Sequence, residues 1–462
     1  MIWSIALRNL LKNGRRSVIT IMSIGIGGLA MMLFGGFVTS IYFGVQTSMI
    51  QEQGQLQIYQ QGYLKYGAAD PDNYTISNYQ AVTDLLLKDP ELKQQISVIT
   101  PQIYLAGIAG VVATDNSKTF IGRGIRPADL DKMRNWDGWH VNVSTPPTGL
   151  DQDERDGAVV GIGMARLLGL CKPLNITKCE DPPTLTKVIS DEQVDMSGLL
   201  SAEDTAQLSQ QANNDKGPQV NLLAATSEGV PNIVSVHVKK AQSQAQRSLD
   251  DAFVMLNFDL ARELLYDNEP RATTLLIQLN NPDLVEQVRQ RIQQKLNASG
   301  MKLEVFRFNE VDPSFDRIFA MFTFIFGVVS VFLGIVIIFT IANTINLTVM
   351  ERVGEIGTIR AMGFRRSFIM RMFISESALM GLFGTLFALI LTLVISTIIN
   401  SMHLGWTPPS NATPITIDLM ILENPKLVLG IMGFLFVLSV LAAILPTFKA
   451  SRMNIISAIH HV

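Results

Sequence analysis

The densest set of chemistry-bearing side chains lies in Glu351–Arg371, which reads ERVGEIGTIRAMGFRRSFIMR. Glu351, Arg352, Glu355 and Arg360 recur at helical spacing, with Val353, Ile356, Ile359 and Met362 between them and glycines at 357 and 363. That pattern predicts a short amphipathic helix. Its charged face suits contact with a partner chain; as an ordinary connector, its arginines would only set topology. The two cysteines, Cys171 and Cys179, stand eight positions apart and most simply form one disulfide closing a small loop, in an oxidising compartment. A cysteine–histidine nucleophile would instead recruit His140 or His237. The stretch Gly157–Leu170 (GAVVGIGMARLLGL) resembles a loose phosphate loop but is not G-x-G-x-x-G. No G-x-x-x-x-G-K-[ST] run occurs, so the chain does not hydrolyse ATP by P-loop chemistry. No triad, metal cluster or paired carboxylates stand out in 47–317, which argues against a membrane-anchored enzyme.

The elements that hold these residues follow from composition. Of 462 residues only 17% are charged, against about 25% in soluble domains. This excludes a disordered chain, a coiled coil and a strongly basic nucleic-acid binder. The net charge of -3 divides into +4 over 1–46, -10 over 47–317 and +3 over 318–462. Two apolar, basic ends enclose an acidic middle.

Four stretches are uncharged for long enough to cross a bilayer, which takes roughly 20 apolar residues. They run from Ser17 to Gln51, from Ile318 to Met350, from after Glu376 to about Met402, and between Lys426 and Lys449. The first is too long for a cleavable signal peptide. The first two exceed a bilayer's thickness and are expected to continue as stalks. Basic residues flank the ends: Arg8, Lys12, Arg15 and Arg16; Arg352, Arg360, Arg365, Arg366 and Arg371; Lys449 and Arg452. The positive-inside rule puts these groups and both termini in the cytoplasm, and 47–317 outside. Trp3, Leu7, Leu10 and Leu11 fall on one face of an N-terminal helix opposite the basic residues, as in a helix lying on the inner leaflet.

The expected divisions are an interfacial helix at 1–16, span one and stalk at 17–50, and an outer core domain at 51–316 with an inserted lobe or loop at 171–232. Then come stalk and span two at 317–350, the helix loop at 351–371, span three at 372–402, an outer loop at 403–425, span four at 426–448 and a tail at 449–462. In the outer domain, strands are expected around Leu56 and Ile58, at Ile96–Thr100 and Ile103–Ala106 broken by Pro101, at Ile233–Val238, Ala252–Leu256, Thr274–Leu279 and Lys302–Phe306. Leu284, Val288, Ile292 and Leu296 mark a helix face. Small residues Gly25, Gly28, Gly35 and Gly36 in span one, and Ser330 and Gly334 in span two, permit close helix packing, within the chain or at a dimer seam. Asn343 and Asn346 have the chemistry to bond across helices or to backbone. The span interiors hold essentially no Asp, Glu, Lys or Arg, unlike an ion-driven carrier, and Glu376 is expected at the interface. The fold class is thus a membrane protein of four transmembrane α-helices with a large extracytoplasmic α+β domain between helices 1 and 2.

The run E-R-x-x-E-I-G-x-x-R-A-M-G, with Glu376, Gly381 and Gly384 after it, resembles the FtsX-like permease domain of MacB-type exporters, LolC/LolE permeases and other type VII ABC transporters. ALRNLLKNGRRSVITIMSIGIG at the N-terminus, Pro446 with KASRMNIISAIHHV at the tail, and GIGMARLLGL and DDAFVMLNFDLARELL in the middle extend the resemblance; the tail lacks the family's usual proline-and-acid ending.

The resemblance implies a non-catalytic permease subunit in a bacterial inner membrane. It implies pairing with a second permease, identical or a paralogue, and with two copies of a cytoplasmic ABC ATPase that itself binds ATP and Mg. The coupling helix would comprise Glu351, Arg352, Glu355, Ile356, Gly357, Arg360, Ala361, Met362 and Gly363. Nucleotide-driven closure would drive the outer domain to release lipoproteins or lipids or to export peptides or drugs, with a periplasmic adaptor or lipoprotein carrier as further partner. Membrane lipid surrounds such a chain; no nucleic acid and no cofactor of its own are expected. The alternative is an FtsX-like signal coupler that activates an extracytoplasmic partner without transporting substrate, for which 47–317 is large.

Overall fold

The computed structural model describes residues 2–12, 14–67, 70, 73–111, 116–141, 143, 145–177, 179, 217–244, 246–402, 404–406, 415–416 and 418–452. The chain forms two compact units: a helical unit of Met1–Phe43, Ser314–Gly405 and Thr416–Val462, and a sheet unit of Gly44–Pro313 with Trp406–Ile415. Along the chain, α1 (Ile2–Lys12) and α2 (Gly14–Gln53) come first. Then follow β1 (Leu56–Gln60), α3 (Tyr79–Leu87), α4 (Pro90–Gln95), β2 (Ile96–Val111), β3 (Asn116–Ile125), α5 (Pro127–Arg134), β4 (Gly157–Val160), α6 (Ile162–Leu167), β5 (Gln219–Ala225) and β6 (Pro231–Ala241). The sheet unit ends with β7 (Phe253–Asn257), α7 (Phe258–Tyr266), β8 (Thr274–Leu279), α8 (Val285–Ala298) and β9 (Leu303–Arg307). The helices α9 (Ser314–Glu351), α10 (Val353–Ala361), α11 (Arg366–Ser401) and α12 (Pro425–Ser451) complete the described chain.

In the helical unit, α2, α9, α11 and α12 are long and apolar enough to cross a membrane. At 40 and 38 residues, α2 and α9 exceed the bilayer core, since about 20 residues suffice at ~1.5 Å each. Buried Ile337, Ile341, Ile345 and Val349 recur about once per helical turn and give α9 its inward face. They pack with Ile24 and Met31 of α2, Phe373 and Ala388 of α11, and Leu435 and Ala443 of α12. The opposite side of α9 carries exposed Phe324, Phe332 and Phe339. A helix that is apolar all round belongs in lipid or deep in protein.

α1 corrects the expected single apolar face. Ala6 and Leu10 are buried, with Leu10 in the helical core, whereas Trp3 and Leu11 remain 58% and 75% exposed. The apolar positions span too wide an arc for one contact: α1 lies against α11 on one side and keeps a second apolar strip outward.

The sheet unit is built on a closed ring of strands. β2 pairs with β3 and β5, β3 with β7, β7 with β4, β4 with β6, and β6 with β5. The ring is a six-stranded barrel in which β3–β7 and β4–β6 are parallel and the rest antiparallel. Its interior is filled by Leu105, Phe120, Val160, Leu222, Val236 and Val254. Outside β4 and β7, Val159, Phe253 and Met255 are covered by Leu130 and Met133 of α5. β2 runs out of the barrel into a second sheet of order β2-β8-β1-β9, all antiparallel. Val288, Ile292 and Leu296 of α8, with Val82 and Leu86 of α3, cover one face of it. The expected α8 face is confirmed.

Pro101 does not break β2. Over Ile96–Gln102 this strand pairs only with β8, so one side is open and a residue without an N–H is tolerated there. The expected inserted lobe at 171–232 is also corrected: β5 at Gln219–Ala225 is a barrel strand, and β6 begins at Pro231. Alternation of Val220, Leu222 and Ala224 inward is short and sits between polar residues, which hid it. Positions 178 and 180–216 of that lobe, and the tail from 453, lie outside the described residues.

The last turns of α2 belong to the sheet unit and are held there by polar side chains. Gln51 Nε2 donates to the carbonyls of Trp136 (2.8 Å) and Val143 (3.2 Å), and Thr145 Oγ1 donates to Gln51 Oε1 (2.6 Å). Glu52 accepts from Arg134 Nε at 2.8 Å and pairs with Arg123.

Candidate functional site

α10 is short because both ends are forced. At its start, Arg352 leaves helical geometry with φ −108°, between the end of α9 and Val353. At its end Gly363 takes φ +90°, a left-handed conformation that favours glycine, and its N–H donates to Arg360 O at 3.1 Å. Nothing lies within 4 Å of where a Gly363 side chain would stand, so conformation and not crowding requires glycine.

α10 has two faces. Val353, Ile356 and Gly357 are buried, and Ile356 joins the helical core. Glu355 and Thr358 point outward, and the exit Ala361–Met362–Gly363–Phe364 is exposed. The nine residues expected to couple therefore separate. Arg352, Ile356 and Gly357 fasten the helix inward; Glu351, Glu355, Ala361, Met362 and Gly363 form the outer surface; Arg360 is half-buried and donates from Nη1 to Phe364 O at 3.4 Å.

Charges fasten the same helix. Arg16 of α2 binds Glu351 with both terminal nitrogens, at 2.6 and 2.7 Å. Lys12 of α1 lies 3.4 Å from Glu355. Both pairs are exposed, so solvent screening leaves each a weak contribution. The third pair differs: Arg352 Nη1 and Glu376 Oε2 of α11 are 3.9 Å apart with side chains only 8% and 4% exposed. Removing one partner of a buried pair costs about 3–5 kcal/mol. Glu376 is thus buried within the helical unit. Lys12 and Arg16 escaped sequence reading because both lie more than 330 positions from their partners; the only signal was two acids in an otherwise basic set.

The small residues of the spans meet neighbours in their own chain. A side chain added at Gly25, Gly28, Gly35 or Gly36 would meet Phe387, Ala388, Leu427 or Ile421, and one at Gly334 would meet Leu438. Gly28 lies so close that its added Cβ would stand 2.7 Å from the Ala388 Cβ. The Ser330 hydroxyl is buried without a hydrogen-bond partner among the described residues. Asn343 and Asn346 are exposed on α9.

Elsewhere the candidate chemistry is occupied. Cys171 and Cys179 form a disulfide, so neither is a nucleophile. His237 Nδ1 lies 3.1 Å from Asp156 Oδ2, and His140 is an exposed turn residue at φ 55°. The glycine turn before α6 is no phosphate seat: the Asp250 carboxylate already accepts from Ile162 N (3.1 Å), Gly163 N (2.7 Å) and Gln244 N (2.9 Å). Among the described residues no group of three or more His, Cys, Asp or Glu is placed to hold a metal.

Residues 317–455 match the family model described as FtsX-like permease C-terminal. An uncharacterized ABC transporter permease of Methanocaldococcus jannaschii is 23% identical over 237 residues, 49% of this chain and 56% of that protein. The ABC transporter permease YtrF of Bacillus subtilis is 26% identical over 149 residues, 32% of this chain and 33% of that one. The chain therefore spans about half and one third of these two relatives. Among solved structures, the extracellular domain of the noncanonic ABC-type transporter YknZ from Gram-positive bacteria aligns with TM-score 0.30 and 9% identity, over 54% of this chain and 98% of that one. The periplasmic region of MacB from Actinobacillus actinomycetemcomitans aligns with TM-score 0.31 and 12% identity, over 58% and 95%. By the match over α9–α12, which contains the two-faced helix and its buried ion pair, the chain carries an FtsX-like permease C-terminal domain at residues 317–455.

Proposed function

We propose that this chain is the permease subunit of an ABC transporter of the FtsX/MacB type and that α10 is its coupling helix. The observation that carries this is the division of α10: one face fixed in the helical unit by Val353, Ile356 and Arg352, the other offering Glu355, Met362 and Phe364. A helix anchored on one side and open on the other passes a push from a docked partner into the helices that hold it. The relatives described as ABC transporter permeases support the same reading.

In this proposal α10 and both termini face the cytoplasm, and the partners are two copies of a separate ATPase and a second permease. The sheet unit faces outward and acts on lipoproteins, lipids, peptides or drugs. The polar grip on Gln51 and Glu52 gives α2 a firm hold on that unit.

The test is co-purification with candidate ABC ATPase subunits from the same organism. Glu355→Lys and Met362→Asp should abolish co-purification while the chain still folds and inserts. Wild-type co-purification by both variants would refute α10 as the docking element.

A further inference from the structure

In the sheet unit, three hydrogen-bond donors converge on one hydroxyl. Tyr79 begins α3, Arg126 caps α5 and Arg262 lies on α7. The Tyr79 Oη accepts from Arg126 Nη2 at 3.3 Å, Arg262 Nη1 at 3.4 Å and Gln80 Nε2 at 3.4 Å. A phenol oxygen has two lone pairs and one proton to give. Three donors on it leave all three bonds long.

The surroundings deepen the shortage of acceptors. Arg262 Nε is buried without a partner among the described residues. Among the described residues its one carboxylate neighbour, Asp259 at 3.2 Å, is bound from Nη2. Arg126 has no carboxylate within 4 Å among the described residues; it sits instead 5.6 Å from the centres of the Tyr79 and Phe258 rings. No described group accepts the Tyr79 hydroxyl proton. The two guanidinium groups, sharing one oxygen, are close neighbours of like charge. Such an arrangement is unfavourable by itself and is relieved by an anion with several oxygens.

We propose that Arg126, Arg262 and Tyr79 form a binding site for a small oxyanion, a phosphate or carboxylate group, on the sheet unit. The rings of Tyr79 and Phe258, edge to face at 5.3 Å, fix the floor on which Arg126 lies. Each arginine keeps spare N–H groups in a planar fork suited to paired oxygens. This inference does not rest on the coupling role of α10: it concerns a different unit and needs no ATPase.

The test uses the full chain purified in detergent. Its thermal unfolding midpoint and its heat of binding are followed against sodium phosphate in one arm and sodium acetate in another, each at ionic strength matched with sodium chloride. A saturable response in either arm, weakened roughly tenfold or more in Arg126→Gln and Arg262→Gln, supports the site, because one charge-assisted hydrogen bond contributes about that factor. Should a glutamine variant fail to fold, Arg126→Lys, which keeps the charge but loses the fork, replaces it and should bind more weakly than the parent. No saturable response to either anion, or equal responses in parent and arginine variants, would overturn the proposal.

Discussion

Arg352 and Glu376 face one another at 3.9 Å in a place that almost no solvent reaches, one at the head of α10 and the other two turns or more into α11. The geometry is a close ion pair without a hydrogen bond, and the Glu376 Oε2 atom has no hydrogen-bond partner among the described residues. α10 therefore cannot rotate about its start without separating two buried charges.

A double-mutant cycle reads this directly. Arg352→Gln leaves a buried carboxylate alone and should destabilise by about 3–5 kcal/mol. Glu376→Gln removes the buried partner of Arg352, leaving exposed acids such as Glu355 at 4.0 Å, and should cost a similar amount. The double variant should lose less than the two single losses combined, because no unpaired charge remains. Chemical or thermal unfolding of the full chain in detergent gives all three values; strict additivity would mean that the pair is not coupled.

Gly363 sets the exit of α10. Replacing it by alanine forces a left-handed backbone on a residue with a Cβ, at about 1–2 kcal/mol. The strain should fall on the exposed end and leave the core intact. Under the proposed coupling role of α10, Gly363→Ala is expected to keep expression and membrane insertion while lowering ATP hydrolysis by a docked ABC ATPase, measured in proteoliposomes.

The glycines of the long helices divide by what surrounds them. At Gly384 an added Cβ would stand 2.7 Å from the Ile24 side chain, whereas nothing lies within 4 Å at Gly430. Gly384→Val should therefore destabilise by about 1–3 kcal/mol through overpacking. Gly430→Ala should be neutral or mildly stabilising, since alanine is the better helix former. Unfolding midpoints of the two variants in the same detergent make the comparison.

Asp89 gives the sheet unit an acid-sensitive joint. Its carboxylate accepts from Arg291 Nε at 2.9 Å, lies 2.9 Å from Lys295 Nζ, and caps α4 through the N–H groups of Glu91 and Leu92. The bonds from Arg291 and then Lys295 hold its pKa well below the usual carboxylate range. A carboxylate lowered on folding stabilises the fold above its unfolded pKa, near 4, and that contribution fades as pH falls below it. The stability gap between the parent and Asp89→Asn should be constant from pH 5 to neutrality and shrink below about pH 4. Unfolding midpoints across that range decide it; a gap unchanged into strong acid would show that the carboxylate charge contributes nothing.

Part of the site was legible in one dimension. The charged and apolar residues of Glu351–Arg371 carry a helical period, so the helical form of α10 could be anticipated from spacing, but not that Arg352 turns inward and Met362 outward. The four membrane-length helices follow in the same way, because bilayer thickness acts on an unbroken run of side chains and requires no partner. The α8 face at Val288, Ile292 and Leu296 and the Cys171–Cys179 disulfide are likewise local: each joins residues within a few turns or a short loop.

What the tertiary structure alone decided are relations between distant residues. Closing the barrel joins β2 to β5 and β3 to β7 across more than a hundred residues, and no local propensity records which strands will meet. Pro101 sits within a strand only because that stretch of β2 has a single neighbour. Leu10 turned inward, away from Trp3 and Leu11, because α11 covers one side of α1 and not the other. Arg16 with Glu351, Arg352 with Glu376, and the two arginines around Tyr79 arise when separate elements bring their ends together. Periodicity shows which side of an element is buried; the identity of the charge opposite it depends on packing, which the chain specifies only as a whole.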